Sequence, residues 1–248
     1  MNDTTSLSYT LAHLLHDLTG IKSLSAENLS LYWPGFVTTI QLTFISLILG
    51  LCLALAFALI RAMRVPFVHR PVAVFTYLFR STPLLIQLYL IYYGLGQIQT
   101  DSQLWHTLIG SPFWLAITAF MLNTAAYTTE IIYGAIKTTP KGEIEAAHAY
   151  GMSPRKTMFR IVLPNAFRRA LPAYGNEVIF MLHATAIASV VTLTDITGAA
   201  IQVLFNTYDG FTPFVTAAVF YMVLSFALQA LFRRLERKLL IHTQPASA

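Results

Sequence analysis

Charge is what this sequence has least of. Asp, Glu, Lys and Arg together make up 11% of its 248 residues, where a water-soluble domain carries about a quarter. Hydrophobic residues reach 56%, and the mean hydropathy is +0.60. So little charge cannot cover a soluble surface, and the composition reads as a polytopic, all-α membrane protein. Cysteine is nearly missing as well. Cys52 stands alone in an apolar run, which excludes an intramolecular disulfide or a cysteine-based metal cluster. No metal ligands are assigned. The net charge of +5 comes from basic residues too sparse to make a nucleic-acid footprint, so no nucleic-acid partner is expected. The N-terminal MNDTTSLSYT lacks a basic stretch followed by an apolar one, so no cleavable signal peptide is expected.

What the chain does have is apolar length. Five segments, 35–60, 71–96, 113–136, 178–193 and 211–232, approach or exceed the roughly 20 residues that cross a hydrocarbon core. The second contains Arg80 and Pro83. The fourth is short, and its Ala184, Ala186 and Ala188 suit close helix packing. Residues 1–34 are too polar to span and read as an external or interfacial segment. Residues 35–232 then form one transmembrane domain, followed by a basic tail at 233–248.

Charge sets the orientation. Of the 16 Lys and Arg, all but Lys22 fall in 61–80, in 137–169 or in the tail. The segments 97–112 and 194–210 have none, but hold Asp101, Asp195 and Asp209. Positive-inside bias therefore predicts five spans with the N-terminus out and the C-terminus in.

The interval 137–175 is then a cytoplasmic loop, and its local chemistry is readable. Gly142 and Gly151 bracket a run rich in Ala and Glu, of high helix propensity, and Gly151 suits the residue just past a helix end. Ser153 and Pro154 form a cap and first-turn pair for a second short helix to about Leu163. Pro164 and Pro172 are expected to punctuate the chain beyond that helix. The loop reads as short helices joined by sharp turns, stiff enough to transmit a push.

Glu145-Ala146-Ala147, three residues, Gly151, nine residues, then Ile161-x-Leu163-Pro164 resembles the EAA loop of ABC-importer permeases and meets that pattern at every position. FRSTPLLIQLYLIYYG is similar to the second span of polar amino-acid permeases. LNTAAYTTEIIYGAI and LPAYGNEVIFMLHATAIA resemble the branch that handles basic amino acids and histidine. One departure is Ser81, where that branch usually has glycine.

The resemblance implies a type I ABC importer permease fold in the bacterial inner membrane. It also implies a cargo of arginine, ornithine, lysine or histidine, with other polar amino acids of the glutamine or glutamate type as the alternative. The implied partners are a second permease subunit, two ATPase subunits and an external substrate-binding protein, all working in membrane lipid. Glu145, Ala146, Ala147, Gly151, Ile161, Leu163 and Pro164 would couple to the ATPase. No cofactor is expected on this chain; ATP and Mg would belong to the partner, because the chain lacks a G-x-x-x-x-G-K-[ST] phosphate cradle. Zinc-protease and nucleophile-elbow motifs are also missing, and an ion-coupled transporter would need no ATPase-docking loop. The chain is therefore not expected to be an enzyme.

Ionisable residues inside spans are costly and mark candidate pathway positions. Asn123, Tyr127, Glu130 and Gly134 recur on one helical face. Two readings of Glu130 stay open: negative charge for a cationic substrate, or an interhelical bond or ion pair with Arg80. Glu177 and His183 flank the start of the fourth segment and Asp195 its far end. They are further pathway candidates, with a hydrogen-bonded structural role the alternative for His183 and interface solvation for Asp195.

Overall fold

The computed structural model describes residues 22–95 and 111–239. Residues 1–21, 96–110 with Asp101 among them, and 240–248 lie outside the described residues. Helices account for the fold, and no strand occurs among the described residues.

A short helix α1 (Ala26–Ser30) is capped by the Ser25 side chain, which accepts from the Asn28 amide. It leads into α2 (Tyr32–Ala62), which starts slightly before the apolar run predicted from sequence. At a rise of about 1.5 Å per residue, the 31 residues of α2 exceed the roughly 30 Å hydrocarbon thickness. The helix is long enough to cross with room for tilt or overhang. Its partner along most of its length is α5 (Pro112–Lys137), the central helix of the bundle. Two-thirds of the most apolar window of α5 is buried, against 17% for the last helix, α10 (Thr212–Leu239). That contrast explains why α5 is among the least hydropathic of the spans: it faces protein, so polar Asn123, Thr124, Thr128 and Thr129 are tolerated there.

Small residues bring α2 and α5 together. A Cβ at Gly50 would stand 2.4 Å from Thr124 Cγ2, so only glycine allows this crossing. Gly35 likewise lies under the backbone of Asp195, where a Cβ would meet the carbonyl oxygen at 2.6 Å.

The second apolar segment differs from the single span expected. It is two helices, α3 (His69–Ser81) and α4 (Leu84–Leu95), bent by 108° at Thr82-Pro83. Proline disfavours helical geometry in the residue before it, and Thr82 is extended at φ −116°, ψ 142°.

The fourth span also differs. Helical structure runs from Pro154 to Val191 as one span. It comprises α7 (Pro154–Thr157), a π-helical turn (Met158–Val162), α8 (Leu163–Ala184) and a 3-10 stretch (Thr185–Val191). Pro164 and Pro172 were expected to punctuate this region and do not. Pro164 directly follows the π-helical turn, at the second residue of α8, and the helical path continues through it. Pro172 lies within α8, which continues past it. Much of the predicted loop 137–175 is therefore the lower half of a span. The four long helical spans become five when the bent pair is counted as one.

Asp195 caps α9 (Ile196–Thr207). Its carboxylate accepts from the amides of Thr197 (3.2 Å) and Gly198 (2.8 Å) and from the Tyr221 hydroxyl (2.8 Å). Asp209 does comparable work before α10, accepting from the amides of Phe211 and Thr212 and from Ser23. The Thr212 hydroxyl foremost, with the Phe211 amide and Ser23, holds its carboxyl well below the usual carboxylate range. The basic residues Arg233, Arg234, Arg237 and Lys238, read as tail, extend α10 as helix.

Candidate functional site

Two sites emerge, one at the basic end of the bundle and one within it. At the basic end, α6 (Lys141–Ala149) carries the Glu145-Ala146-Ala147 run. It stops at Gly151, whose φ of +75° suits glycine. The Gly151 amide donates to the His148 carbonyl (2.9 Å) and the Met152 amide to that of Ala147 (3.0 Å), a Schellman-type closure. Ser153 then caps α7 by accepting from the Lys156 amide.

One face of α6 docks on the bundle. Ala147 is buried, and Ile144 packs against the cluster of Ile132, Ala135, Ile136, Val162, Ala166 and Ala170. Asn165 Nδ2 donates to Glu143 Oε2 at 3.2 Å, joining α6 to α8. The opposite face presents Glu145, Ala146, His148 and Ala149 to the outside, with Tyr150 91% exposed beside them. Of the other motif positions, Ile161 and Leu163 are half-buried and Pro164 is exposed. Arg169 ties the platform to α5 by donating to the Ala135 carbonyl (3.1 Å) and Thr139 Oγ1 (2.6 Å). Sequence reasoning read Arg169 only as one of many basic residues; its reach from α8 to the end of α5 had no local signal.

Between them, α5 and α8 frame an open cavity of about 480 Å³ lined by Asn123, Tyr127, Asn176, Glu177, Phe180 and Met181, among others. Glu177 is buried and accepts from Thr124 Oγ1 at 2.9 Å. Among the described residues it has no ion-pair partner. Asn123 donates from Nδ2 to Gln87 Oε1 at 2.9 Å, and Tyr127 donates to the Arg80 carbonyl at 3.4 Å. Gln87 was not singled out from the sequence, although a glutamine in an apolar helix four residues after a proline was a readable signal.

Of the other pathway candidates, Arg80 borders this cavity through Tyr127, whereas Glu130, His183 and Asp195 do not line it. Glu130 forms its ion pair with Arg61, at the end of α2, and not with Arg80; it also accepts from Thr76 Oγ1 at 2.8 Å. The Arg61 guanidinium lies 4.2 Å from the Tyr133 ring centre and the Arg80 guanidinium 5.4 Å from that of Tyr127, both cation–π arrangements. His183 is hydrogen-bonded to Ser225 Oγ at 2.8 Å, and Asp195 is the fully buried cap described above.

With this geometry in view, the chain matches a family model described as "binding-protein-dependent transport system inner membrane component", over residues 46–241. The chain belongs to this family of ABC-importer permeases. It is 43% identical over 217 residues to the histidine/lysine/arginine/ornithine transport system permease protein HisM of Escherichia coli K12, covering 87% of this chain and 91% of that protein. It is 41% identical over 204 residues to the octopine transport system permease protein OccM of Rhizobium radiobacter, covering 82% and 83%.

Among solved structures, an amino acid ABC transporter crystallised with histidines superposes with a TM-score of 0.77 at 32% identity, covering 86% of this chain and 96% of that one. The inward-facing MetNI methionine transporter superposes at 0.73 with 21% identity, covering 85% and 97%, which speaks to the fold alone. The fold is that of type I ABC importer permeases. In this family ATP is hydrolysed by a separate ATPase subunit, and the permease is its transmembrane partner.

Proposed function

We propose that this permease carries basic amino acids inward through the cavity between α5 and α8. The observation that carries the reading is Glu177: a buried carboxylate on the cavity wall with no cation paired to it among the described residues. Burying such a charge alone is costly, and a guanidinium or ammonium passing through the cavity supplies the missing partner. The cavity lies within the usual range for small-molecule sites, about 300–1,000 Å³. The names of the relatives, which cite histidine, lysine, arginine and ornithine, support a basic amino-acid cargo. Asn123 and Tyr127 line the same path, while Glu130 serves as a strut through Arg61.

In this reading the permease sits in a bacterial inner membrane with its N-terminus out and its C-terminus in. It pairs with a second, different permease chain, two ATPases that hold ATP and Mg, and an external binding protein. The exposed face of α6, with Tyr150 and Gly151 at its end, inserts into the ATPase, while the Asn165 and Arg169 bonds pass its motion to α8 and α5. Nucleotide-driven closure then shifts the bundle between two arrangements. The test is Glu177→Gln in the reconstituted complex. Arginine uptake is expected to fall by about ten-fold or more, the worth of a charge-assisted bond, with the ATPase subunits still attached. Wild-type arginine uptake in that variant would remove Glu177 from the path.

A further inference from the structure

The bend in the second span and the cavity are joined by hydrogen bonds whose direction is fixed. In an unbroken helix the Phe79 carbonyl would accept from residue 83, and the Arg80 carbonyl from residue 84. Residue 83 is proline, and the 108° bend carries residue 84 away, so both carbonyls lose their helical partners.

Gln87, itself buried, repairs the first. Its Nε2 lies 2.7 Å from the Phe79 carbonyl, 3.1 Å from the Thr82 carbonyl and 2.7 Å from Thr82 Oγ1. Carbonyls only accept, so this end of the amide must be its nitrogen. Its oxygen then faces α5 and accepts from Asn123 Nδ2 at 2.9 Å. The second carbonyl, of Arg80, takes the Tyr127 hydroxyl proton.

Both Asn123 and Tyr127, which α5 gives to the cavity, thus point a donor at the bend. Left for the cavity from these groups are the Asn123 carbonyl oxygen, the Tyr127 oxygen as acceptor, and the Glu177 carboxylate, which accepts from the Thr124 hydroxyl; Asn176 adds an amide on the α8 wall.

We propose that the bend at Thr82-Pro83 sets the polarity of the cavity, with Gln87 as a positioning residue that keeps the Asn123 oxygen turned toward the cargo. On the α5 wall and at Glu177 the cargo therefore meets acceptors, and there a donor-only guanidinium is selected over its neutral isostere, a urea, whose carbonyl would face lone pairs. The inference rests on the reading of this cavity as the cargo path.

The experiment is equilibrium binding of radiolabelled arginine and of citrulline to the purified, detergent-solubilised complex, without the external binding protein. Wild type should prefer arginine. Gln87→Met keeps the volume and frees the Asn123 amide to turn its nitrogen inward, and the ratio of the two dissociation constants should shift toward citrulline by about ten-fold. A merely structural loss lowers the amount of active complex and leaves that ratio alone. Where Gln87→Met fails to assemble, Asn123→Ala, which removes the acceptor, should weaken arginine binding more than citrulline binding. An unchanged ratio in the assembled variant overturns the role of Gln87. A wild-type complex that binds arginine no better than citrulline overturns this inference and the cargo reading together.

Discussion

Glu130 and Glu177 are both carboxylates inside spans, and their surroundings give them opposite tasks. Glu130 is bound by Arg61 and Thr76, so it joins α2, α3 and α5 at the basic end. Glu177 has only a hydroxyl donor and an open cavity. The sequence pointed to Glu130 because it shares a helical face with Asn123 and Tyr127, and that periodicity is correct. What periodicity omits is which neighbour a side chain reaches: Ile131, one residue further on, still lines the cavity, while Glu130 turns to Arg61, a residue 69 positions earlier. A half-buried ion pair loses more from removal of one partner than from removal of both. We therefore expect Glu130→Gln to lower the melting temperature of the complex. The double variant Arg61→Met/Glu130→Leu should recover part of that loss in the same thermal-unfolding assay. A double variant that loses the sum of the two single effects would count against a coupled pair.

At the level of elements, helix starts and stops were the most legible features. Gly151 closes α6 and Ser153-Pro154 opens α7 because capping depends on a few adjacent residues. Prolines were less informative. Pro83 breaks a span because the helix on its far side leaves at a steep angle, whereas Pro164 is accommodated just after a π-helical turn and Pro172 within α8. Sequence alone does not separate these cases, since tertiary packing of the flanking helix decides whether the freed carbonyls find other partners. Crossings are likewise invisible until helices are placed, and Gly50 is the example. Gly50→Ala is expected to destabilise the permease by about 1–3 kcal/mol through overpacking against Thr124, whose Cγ2 would lie 2.4 Å away. Adding Thr124→Ser removes that methyl, keeps the hydroxyl that holds Glu177, and should restore part of the stability. The assay is thermal unfolding of the purified complex, and equal stability of wild type and Gly50→Ala would show that α2 and α5 have slack at this crossing.

At the scale of the whole molecule, five apolar segments and one motif with fixed spacing were enough to indicate a helical permease, because membrane solvent imposes length and the family shares the motif's spacing. The cavity was not legible as a whole. Asn123, Tyr127 and Glu177 lie on two helices whose facing depends on how α2, α5 and α8 pack, and Gln87 belongs to a third element that only the bend brings near. Coupling to ATP is the claim on which the mechanism turns, and it joins the platform to the cavity. The most direct measurement is arginine uptake into proteoliposomes containing the complete complex and its binding protein, with and without enclosed ATP, for wild type and for Gly151→Asp. Wild type should accumulate arginine only with ATP. In Gly151→Asp, whose backbone sits at φ +75°, ATP-driven uptake should be lost together with ATPase attachment. Uptake by wild type without ATP, or undiminished ATP-driven uptake by Gly151→Asp, would contradict it.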